Sequence, residues 1–371
     1  MNRRIGIVGG GPGGLMLARL LQQRDMNVTV FERDDHADER PQGGSLDLHE
    51  ETGQRAMRAA GLQTAFSAAA RPEDQGDRLY DECGKLLFDH DGEAANRPEI
   101  DRGDLRRILL DALAPGVVRW GQRVSGIAAE DGQIRVLRDD GQDAFDIVIG
   151  ADGAWSRLRP FLTDARPVYQ GVVLLELGFD EVRHPHAAVL VGRGKMFAVG
   201  DNRALVLQRN GHGHIRFYAG VRMAEDEAIA LCRADPDGAR TRMTAAFSTW
   251  DAGLRRLIGE GDFIGVRPMH AMPIGTRWTA HSGVTLLGDA AHLMSPFSGE
   301  GVNLALADAV DLADALTHAS GLDSIQTYEA MMAVRAEIAA HGAAAGLDSV
   351  FSKDGATRVL AHFQQRIQGR S

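Results

Sequence analysis

The sequence predicts a mixed α/β fold in which a parallel α/β frame is interrupted by an antiparallel sheet. An apolar run at 5–8 leads into a glycine-rich turn and a helical pattern, as such a frame would begin. From 168 to about 222, strand-like runs dominate and are separated by Gly, Asn and Asp turns. A strand, a Gly-Asp turn and a helix start then return at 284–303. We therefore expect an α/β domain with an inserted antiparallel sheet and a C-terminal helical segment.

The first glycine turn fits a nucleotide-binding pattern. Gly9, Gly11 and Gly14 form G-x-G-x-x-G between a short strand and a helix that begins near Pro12. The first glycine makes the turn, the second lets backbone approach a pyrophosphate, and the third lets helix and strand pack closely. A second strand ends at Glu32, whose carboxylate can bind an adenosine ribose and would repel a 2′-phosphate. The context predicts a Rossmann-like dinucleotide site, with NAD and FAD both open and NADP disfavoured.

The rest of the first domain mixes helices with antiparallel ribbons. Helices are predicted at 51–62 and 102–114, and a hairpin between them turns at 82–85. A meander follows, and both of its turns contain Asp-Gly, a strong hairpin signal. The predicted strands of the meander are Val124–Ala129, Ile134–Arg138 and Ala144–Ile149.

The second half of the chain contains the inserted sheet and then returns to the α/β frame. The predicted strands of this sheet are 172–179, 187–192, 195–200, 204–209 and 214–222. Helices at 225–233 and 237–258 and a strand at 263–269 follow, and helices at 300–317 and 322–346 come last. The expected domains are 1–165 (with 64–90 contributing to the substrate lobe), 166–262 for the substrate-binding sheet, 263–320 returning to the first domain, and 321–371 as the helical segment.

Composition excludes several functional classes. The net charge of -10 disfavours nucleic acid as a partner, because binding it needs a basic face. The two cysteines form no CxxC pair, which disfavours a disulfide reductase and indicates a reducing, cytoplasmic location. No apolar run reaches the roughly 18 residues of a membrane span, and no Cys/His pattern predicts a metal site. We interpret the N-terminal apolar run as the glycine motif rather than a signal peptide.

Three motifs together resemble the single-component FAD-dependent aromatic hydroxylases, which have the p-hydroxybenzoate hydroxylase fold. The fingerprint at Gly9–Gly14 with Glu32 is the first. The second is "DGAWSRLR" from Asp152 to Arg159, and the third is "GDAAHLMSPFSGEGVN", which begins at Gly288 and Asp289. They occur in the family's order and span most of the chain. The resemblance implies a Rossmann-like FAD-binding domain with an inserted β-sheet substrate domain and a C-terminal bridging helix.

A closer resemblance is to the flavin monooxygenases that inactivate tetracyclines. It rests on "GGSLDLH" (43–49), "PEIDRGDLR" (98–106) and the late glycine segment. It implies bound FAD, NADPH as a transient reductant, O₂ as co-substrate and a polycyclic phenolic substrate. Positions matching Asp47, Arg102 and Asp289 would contact FAD, and the position matching Arg40 would serve NADPH.

The sequence also departs from that group. Glu176 and Lys195 align with the Gln and Arg that hold tetracycline there, so the substrate stays open. Glu300 stands where the group has Gln, although the glycines of that loop remain.

The late segment is expected to hold the flavin end of the FAD whose adenine end the first loop holds. Asp289 would accept a hydrogen bond from the polyol chain, and the helix that begins near Gly301 would point its positive end at the ring. Asn303 would orient the loop or meet the ring, Arg33 would reach the pyrophosphate or form a surface salt bridge, and His292 would make an ordering hydrogen bond. Asp152 is equally explained as a turn residue. The expected FAD-binding residues are Gly9, Gly11, Gly14, Glu32, Arg33, Asp47, Arg102, Asp152, Gly288, Asp289, Pro296, Gly299, Gly301, Val302 and Asn303.

These expectations point to a monooxygenase that inserts oxygen through a flavin hydroperoxide, with no catalytic residue or metal of its own. NADPH would bind without a Rossmann domain of its own. The leading substrate is a tetracycline or a related polyketide. The alternatives are biosynthetic hydroxylation of another aromatic polyketide, a flavin reductase or oxidase without oxygen insertion, and a non-catalytic nucleotide-binding regulator. We expect a monomer in which the C-terminal helix braces the fold, with an oligomer interface as the alternative.

Overall fold

The computed structural model describes residues 3–92, 96–318 and 322–368. The chain divides into two compact units whose segments alternate along the sequence. The first unit consists of Met1–Ala70, Arg102–Val168 and Ala271–Ala343, and the second of Arg71–Asp101, Tyr169–His270 and Ala344–Ser371. The strand at 262–271 and the residues after 343 therefore belong mainly to the second unit, whereas the sequence grouped them apart from the substrate-binding sheet.

The bounds of the elements are as follows. In chain order the strands are β1 (Arg4–Val8), β2 (Asn27–Phe31), β3 (Ser45–Asp47), β4 (Gly76–Tyr80), β5 (Leu86–His90), β6 (Glu99–Asp101), β7 (Val118–Arg119), β8 (Val124–Glu130), β9 (Gln133–Arg138), β10 (Gly141–Phe145), β11 (Ile147–Gly150), β12 (Val168–Asp180), β13 (Gly194–Gly200), β14 (Arg203–Arg209), β15 (His214–Arg222), β16 (Asp262–Ala271) and β17 (Val284–Leu286). The α-helices are α1 (Pro12–Gln22), α2 (Arg55–Ala59), α3 (Gln63–Ala69), α4 (Arg102–Asp111), α5 (Pro185–Val191), α6 (Glu225–Cys232), α7 (Pro236–Ala246), α8 (Ala252–Glu260), α9 (Asp289–His292), α10 (Gly301–His318), α11 (Leu322–Val350) and α12 (Gly355–Gln368). A π-helical turn at Glu50–Gln54 precedes α2, and 3₁₀ turns lie at Pro72–Asp74, Arg159–Phe161 and Pro296–Ser298.

The first unit is built on a parallel sheet with strand order β17-β11-β1-β2-β7. Ile5 on β1 is in register with Val28 on β2 and with Ile147 on β11. The central strands are apolar without alternation because they are buried on both faces. Because parallel strands end at the same edge, the turns after β1, β11 and β17 lie on one side of the sheet. These turns begin the three motifs found in the sequence.

The second unit is built on a seven-stranded sheet with order β16-β12-β15-β14-β13-β4-β5. One face packs under α5, α6, α7 and α8 in a hydrophobic core that includes Leu175, Leu177, Leu207 and Phe217. Residues between these core positions point to the opposite face, because side chains alternate along a strand. The mixed α/β architecture with an antiparallel-dominated sheet confirms the predicted fold class.

Several predicted elements need correction. The run 187–192 is helix α5 and not a strand, because Pro185 occupies its first turn and Gly192 ends it with φ of +64°. The helix predicted at 237–258 is two helices, since Asp251 caps a new start by accepting hydrogen bonds from the N–H groups of residues 253 and 254.

The meander is confirmed for β8 and β9, but its third strand divides in two. Strand β10 completes the three-stranded antiparallel sheet, while β11 joins the parallel sheet. The helix predicted at 51–62 is the π-helical turn followed by the short α2. Helix α12 was not predicted as a separate element. Among the described residues, no helix combines the length and apolarity needed to cross a membrane.

Candidate functional site

In the first glycine turn, two of the three glycines of the motif have no room for a side chain. Gly9 has φ of +112°, and a Cβ there would lie 2.3 Å from the carbonyl oxygen of Ala151. A Cβ on Gly14 would lie 2.1 Å from the carbonyl oxygen of Gly9. Gly11 differs, because a Cβ there would meet nothing within 4 Å. The backbone at Gly11 is therefore open to a ligand, as a pyrophosphate-binding turn requires.

Glu32 holds the same turn from the end of β2. One oxygen of its buried carboxylate accepts the N–H of Gly10 at 2.7 Å, and the other accepts the N–H of Asp34 at 3.0 Å. Each carboxylate oxygen can accept a further hydrogen bond. The geometry is therefore compatible with the ribose contact expected of Glu32, and it adds a structural role for this residue.

Asp34 is the centre of an arginine cluster beside this turn. The Nε atom of Arg40 lies 3.0 and 3.1 Å from the two carboxylate oxygens of Asp34, which is buried. Arg33 is mostly exposed and approaches the same carboxylate only to 4.0 Å. Arg106 is buried, lies 3.5 Å from Asp34 and donates from Nε to the carbonyl of Gly10 at 3.3 Å.

Arg106 was missed at the sequence level, although it ends the quoted stretch "PEIDRGDLR". The available signal was its position one helical turn after Arg102, on the buried side of α4. Arg102 itself is exposed at the start of α4, and its N–H donates to the carbonyl of Gly44 at 3.2 Å. Within the described parts of the chain, its guanidinium has no hydrogen-bond acceptor in reach. Arg102 is therefore open to an anionic ligand.

The second motif makes a tight turn after β11. One oxygen of Asp152 accepts the N–H of Arg157 at 2.6 Å, while its Oδ1 is buried without a hydrogen-bond partner in the described structure. Burial raises the pKa of Asp152, although hydrogen bonds from Ser156 and the Arg157 backbone act against it. Asp152 is thus a turn residue, and its unpartnered Oδ1, which would lie 3.4 Å from a Cβ on Gly150, can still accept a hydrogen bond.

Arg159 links the second motif to the third. Its buried guanidinium donates to the carbonyl of Ala290 at 2.8 Å and to that of Asp289 at 3.0 Å. Burial lowers the pKa of Arg159, and the nearby carboxylates of Asp152 and Asp289 partly offset this effect. The sequence placed Arg159 in a motif but assigned it no role. The structure shows that it holds the Gly-Asp turn through the turn's own backbone.

The Gly-Asp turn is also held by a buried cluster of charged side chains. Gly288 has φ of +58°, and its N–H donates to Oδ2 of Asp308 at 3.0 Å. The same oxygen lies 2.6 Å from Nε2 of His292, and the other oxygen lies 2.7 Å from Nη2 of Arg335. Asp289 is exposed, so its carboxylate stays available to a ligand.

Within this cluster the pKa of His292 is raised and the pKa of Asp308 is lowered. Burial would lower the pKa of His292, but the carboxylate of Asp308 outweighs it and raises the pKa. Burial would raise the pKa of Asp308, but His292 and Arg335 outweigh it and lower the pKa. The pair is therefore held in the charged form. His292 makes the ordering hydrogen bond expected of it.

The late loop is tied to the end of β3 by Asn303. This fully buried amide accepts the N–H of His49 at 2.9 Å and donates to the carbonyls of Asp47 at 2.9 Å and Gly299 at 3.2 Å. Of the two roles expected for Asn303, the structure displays the one that orients the loop. A Cβ on Gly299, where φ is +70°, would lie 3.6 Å from Oδ1 of Asp47. Asp47 and the loop therefore face each other.

The two glycine segments meet within the first unit. A Cβ on Gly13 in α1 would lie 2.7 Å from Leu287 and 3.2 Å from the carbonyl of Ala305 in α10. Pro296 opens the 3₁₀ turn before the loop, Gly301 begins the 18-residue α10, and Val302 is half-buried in its first turn. The structure thus assembles the fifteen expected FAD-binding residues on one unit.

Glu176 and Lys195 lie in the second unit, where both are ion-paired. The carboxylate of the buried Glu176 lies 3.1 Å from Arg216 and 2.9 Å from Arg267. Nζ of Lys195 lies 2.8 Å from Glu99. Glu176 alternates with core residues of β12, so it points to the face opposite the core.

Comparison with known proteins agrees with this arrangement. The model of the family described as FAD binding domain matches residues 3–341. Monooxygenase asqM of Emericella nidulans is 31% identical over 371 residues, covering 84% of this chain and 83% of the relative. Monooxygenase penA of Penicillium thymicola is 30% identical over 381 residues, covering 88% of each.

Two solved structures show the same fold at lower identity. Klebsiella pneumoniae HpxO complexed with FAD and uric acid has a TM-score of 0.81 at 23% identity, covering 98% of this chain and 92% of that one. Tetracycline destructase Tet(51) has a TM-score of 0.75 at 20% identity, covering 99% and 97%.

The residues fit the cofactor that the family name implies. The open backbone at Gly11 and the unpartnered oxygen of Asp152 are features that a bound dinucleotide would use. The family model spans nearly the whole chain, and the curated relatives are monooxygenases. The chain belongs to the FAD binding domain family, and it is an FAD-dependent monooxygenase that uses O₂ and a reduced nicotinamide cofactor.

Proposed function

We propose that this chain hydroxylates an electron-rich aromatic or polycyclic substrate with NADPH as reductant, and that a tetracycline or related polyketide is the first substrate to test. The observation that carries the proposal is the meeting of two glycine segments on one α/β unit. One segment leaves its backbone open at Gly11, and the other presents the exposed carboxylate of Asp289 beside a helix start. Two separate glycine segments suit an extended cofactor with two ends to hold.

Each end of the site has its own chemistry. Gly9, Gly11, Gly14 and Glu32 would hold the adenosine and pyrophosphate, with Arg33 or Arg102 near the phosphates. At the other end Asp47 and Asp289 would accept hydrogen bonds from hydroxyl and N–H groups. Gly288, the loop residues Pro296 and Gly299, and the start of α10 at Gly301, Val302 and Asn303 would let backbone approach the ring. When bound and reduced, FAD supplies the activation of O₂ for oxygen transfer.

The protein's own contribution at the flavin end is electrostatic. Helix α10 is 18 residues long and directs its N-terminal N–H groups toward the loop from which it starts. The positive end of such a helix stabilises negative charge within about one turn. Arg159 and Asp308 hold the neighbouring turn rigid, so this dipole needs no rearrangement as charge develops.

The second unit indicates what kind of substrate would fit. Around Glu99 and Glu176 lie three cationic side chains, so these two groups together carry one excess positive charge. Glu176 is neutralised by Arg216 and Arg267, and its negative charge does not repel an acidic ligand. This balance favours a substrate that presents an acidic phenol, enol or carboxylate, as phenolic polyketides do. Lys195 remains a candidate for substrate contact, as does Glu176 through its arginines.

Product mass tests the proposed reaction. The purified protein with FAD would be incubated with NADPH, or NADH, and a panel of tetracyclines, uric acid and other polycyclic phenols. We expect substrate-dependent NADPH oxidation and a product heavier by one oxygen atom. A product without added oxygen would instead support a reductase or oxidase, and no turnover with any compound would favour a regulator. A hydroxylated aromatic other than tetracycline would support the biosynthetic alternative.

Arg40, assembly and location belong to the same proposal. Arg40 would serve NADPH while paired with Asp34, so Arg40→Ala should raise the KM for NADPH and leave FAD content unchanged. We propose a monomer in the cytoplasm. Met331, Val334 and Ile338 form an exposed apolar stripe on α11, which is the surface an oligomer would use. Sedimentation of the wild type beside Val334→Glu decides between the two states.

A further inference from the structure

His49 lies between two carboxylates that come from different parts of the chain. Its Nε2 is 3.5 Å from Oδ2 of Asp47, and its Nδ1 is 3.5 Å from Oε1 of Glu300. The exposed fractions of the three side chains are 15%, 13% and 31% for His49, Asp47 and Glu300. Asp47 ends β3, whereas Glu300 belongs to the late loop. The imidazole is thus the side-chain bridge between them.

The same two segments are also joined by a link that does not titrate. Asn303 binds the backbone of His49, Asp47 and Gly299, as described above. This amide places the backbone of the loop, but it does not reach the side chain of Glu300. Two links of different chemistry therefore hold one loop, and only the link through His49 depends on charge.

The other charged groups near His49 are already paired. Glu50, next along the chain, pairs with Arg58 at 2.9 Å. Helix α10 packs against the π-helical turn, and its Asp311 there is neutralised by Arg55 at 3.0 Å and Arg335 at 2.7 Å. The charged groups that raise the pKa of the imidazole are Asp47 and Glu300. A protonated His49 attracts both carboxylates, whereas a neutral one leaves the two carboxylates without this shared cation.

We propose that His49 is a positioning residue: its imidazolium seats the loop 296–301 against the end of β3 through Glu300, and loss of its proton loosens the loop and weakens FAD binding. The proposal rests on the assignment of this loop to the flavin end of the site. It also accounts for Glu300, which departs from the Gln expected there. A Gln would satisfy the backbone geometry equally well but would not pair with a cation.

The direction of the pH effect follows from the surroundings of His49. Burial would lower its pKa, but the hydrogen bonds and charges of Asp47 and Glu300 outweigh burial and raise the pKa above the ordinary 6.5. A raised pKa means that the contact is complete below pH 6.5 and is lost as pH rises through the folded-state pKa. Loop seating should therefore be firm in mild acid and weaker in mild alkali.

A double-mutant cycle tests the proposal on FAD affinity. The dissociation constant of FAD would be measured by flavin fluorescence for wild type, His49→Gln, Glu300→Gln and the double variant, at pH 6 and pH 9. At pH 6 each single variant should weaken binding about three- to tenfold, and the double variant should be no weaker than the worse single one. At pH 9 the four proteins should converge. The matched controls are His36→Gln, an exposed histidine, and Glu337→Gln, which belongs to a surface ion pair with Arg277.

Urea unfolding of the same four proteins without FAD separates two assumptions. The first is that His49 and Glu300 interact, and the second is that the loop they hold binds FAD. Non-additive stabilities at pH 6 with unchanged FAD affinity would mean that the pair exists but the loop does not hold FAD, which overturns the proposal. Additive effects in both measurements at both pH values would mean that His49 and Glu300 do not interact, which also overturns the proposal. Non-additivity in both measurements at pH 6, absent at pH 9, is the expected result.

Discussion

The two glycine segments of the first unit do related work by different physical means. In the first, between Gly9 and Gly14, backbone fits backbone, and a single Cβ would collide with a carbonyl. The second, from Gly288 to Asn303, is held by side chains that lie outside the segment. Arg159 binds its carbonyls, and Asp308 binds its N–H group. The first segment is a steric fit that a short motif encodes. The second depends on a polar network that only the fold assembles.

This difference predicts different sensitivities. A steric fit should be lost on substitution of the glycines themselves, whereas the late turn should be lost on substitution of the buried polar residues that hold it. Substitutions in each of the two glycine segments therefore test the comparison, and they follow in order from the largest expected effect to the smallest.

The largest effect is expected for Asp308→Ala. The change leaves Arg335, His292 and the N–H of Gly288 without their shared acceptor, and removing one partner of a buried ion pair costs about 3–5 kcal/mol. Urea unfolding of the FAD-free protein measures the loss. Asp314→Ala, on the same helix but half exposed, should cost less than about 1 kcal/mol. Equal losses in the two variants would contradict the importance of the buried network.

The pH dependence of the same pair sharpens this test. His292 has a raised pKa, so its contribution is complete below its ordinary value of 6.5 and disappears as pH rises through the folded-state pKa. Asp308 has a lowered pKa, so its contribution is complete above its ordinary 3.8 and disappears as pH falls through the folded-state pKa. The stability difference between wild type and Asp308→Ala should peak between these two values. A difference that keeps rising above pH 8 would refute the charged pair.

A smaller loss is expected for Gly14→Ala. A Cβ 2.1 Å from the carbonyl of Gly9 forces the turn and α1 apart, and overpacking of this kind costs about 3 kcal/mol. FAD content should fall with stability. Gly11→Ala is the matched control, because its Cβ enters open space. It should unfold like the wild type and lose FAD affinity alone, and unchanged FAD affinity would show that this backbone is not a pyrophosphate site.

An intermediate effect is expected for Asn303→Ala. The variant loses one accepted and two donated hydrogen bonds and leaves partly buried backbone groups unpaired, which costs roughly 1–3 kcal/mol. Faster hydrogen exchange confined to the loop around Gly299 should accompany the loss. The exposed Asn27→Ala is the control and should be close to neutral. Unchanged exchange in the loop would mean that the amide does not hold it.

The smallest effect on stability, with a clear effect on FAD, is expected for Asp289→Ala. Its carboxylate is exposed, so unfolding should change by less than about 0.5 kcal/mol. A lost hydrogen bond to a charged acceptor should weaken FAD binding by about tenfold or more. Equilibrium dialysis with FAD measures this. Wild-type affinity would show that the late turn serves something else.

Sequence patterns predicted the regular parts of this molecule well. The motif from Gly9 to Gly14, the strands on either side of it and most of the second sheet were visible, because each depends on local spacing and alternation. Patterns failed at 187–192, where an apolar run between Pro185 and Gly192 suited a strand or a helix equally, and packing under the sheet decided. They also failed at Arg106, because its position one helical turn after Arg102 is a weak signal until packing shows which side of α4 is buried.

The sequence by itself determined the fold class, the glycine turns and the enzyme's family, since these depend on periodicity and on positions such as Gly9 and Gly14 that have no room for a side chain. The tertiary structure decided how the late turn is held. Asp308 and Asn303 act on it from α10, Arg159 acts from the second motif, and His49 acts from the segment after β3. Each forms a charged or amide contact that is strong only where folding removes it from water. Such contacts have no fixed sequence spacing, so the sequence could suggest that Asn303 orients the loop but could not identify the partners of Arg159 and Asp308.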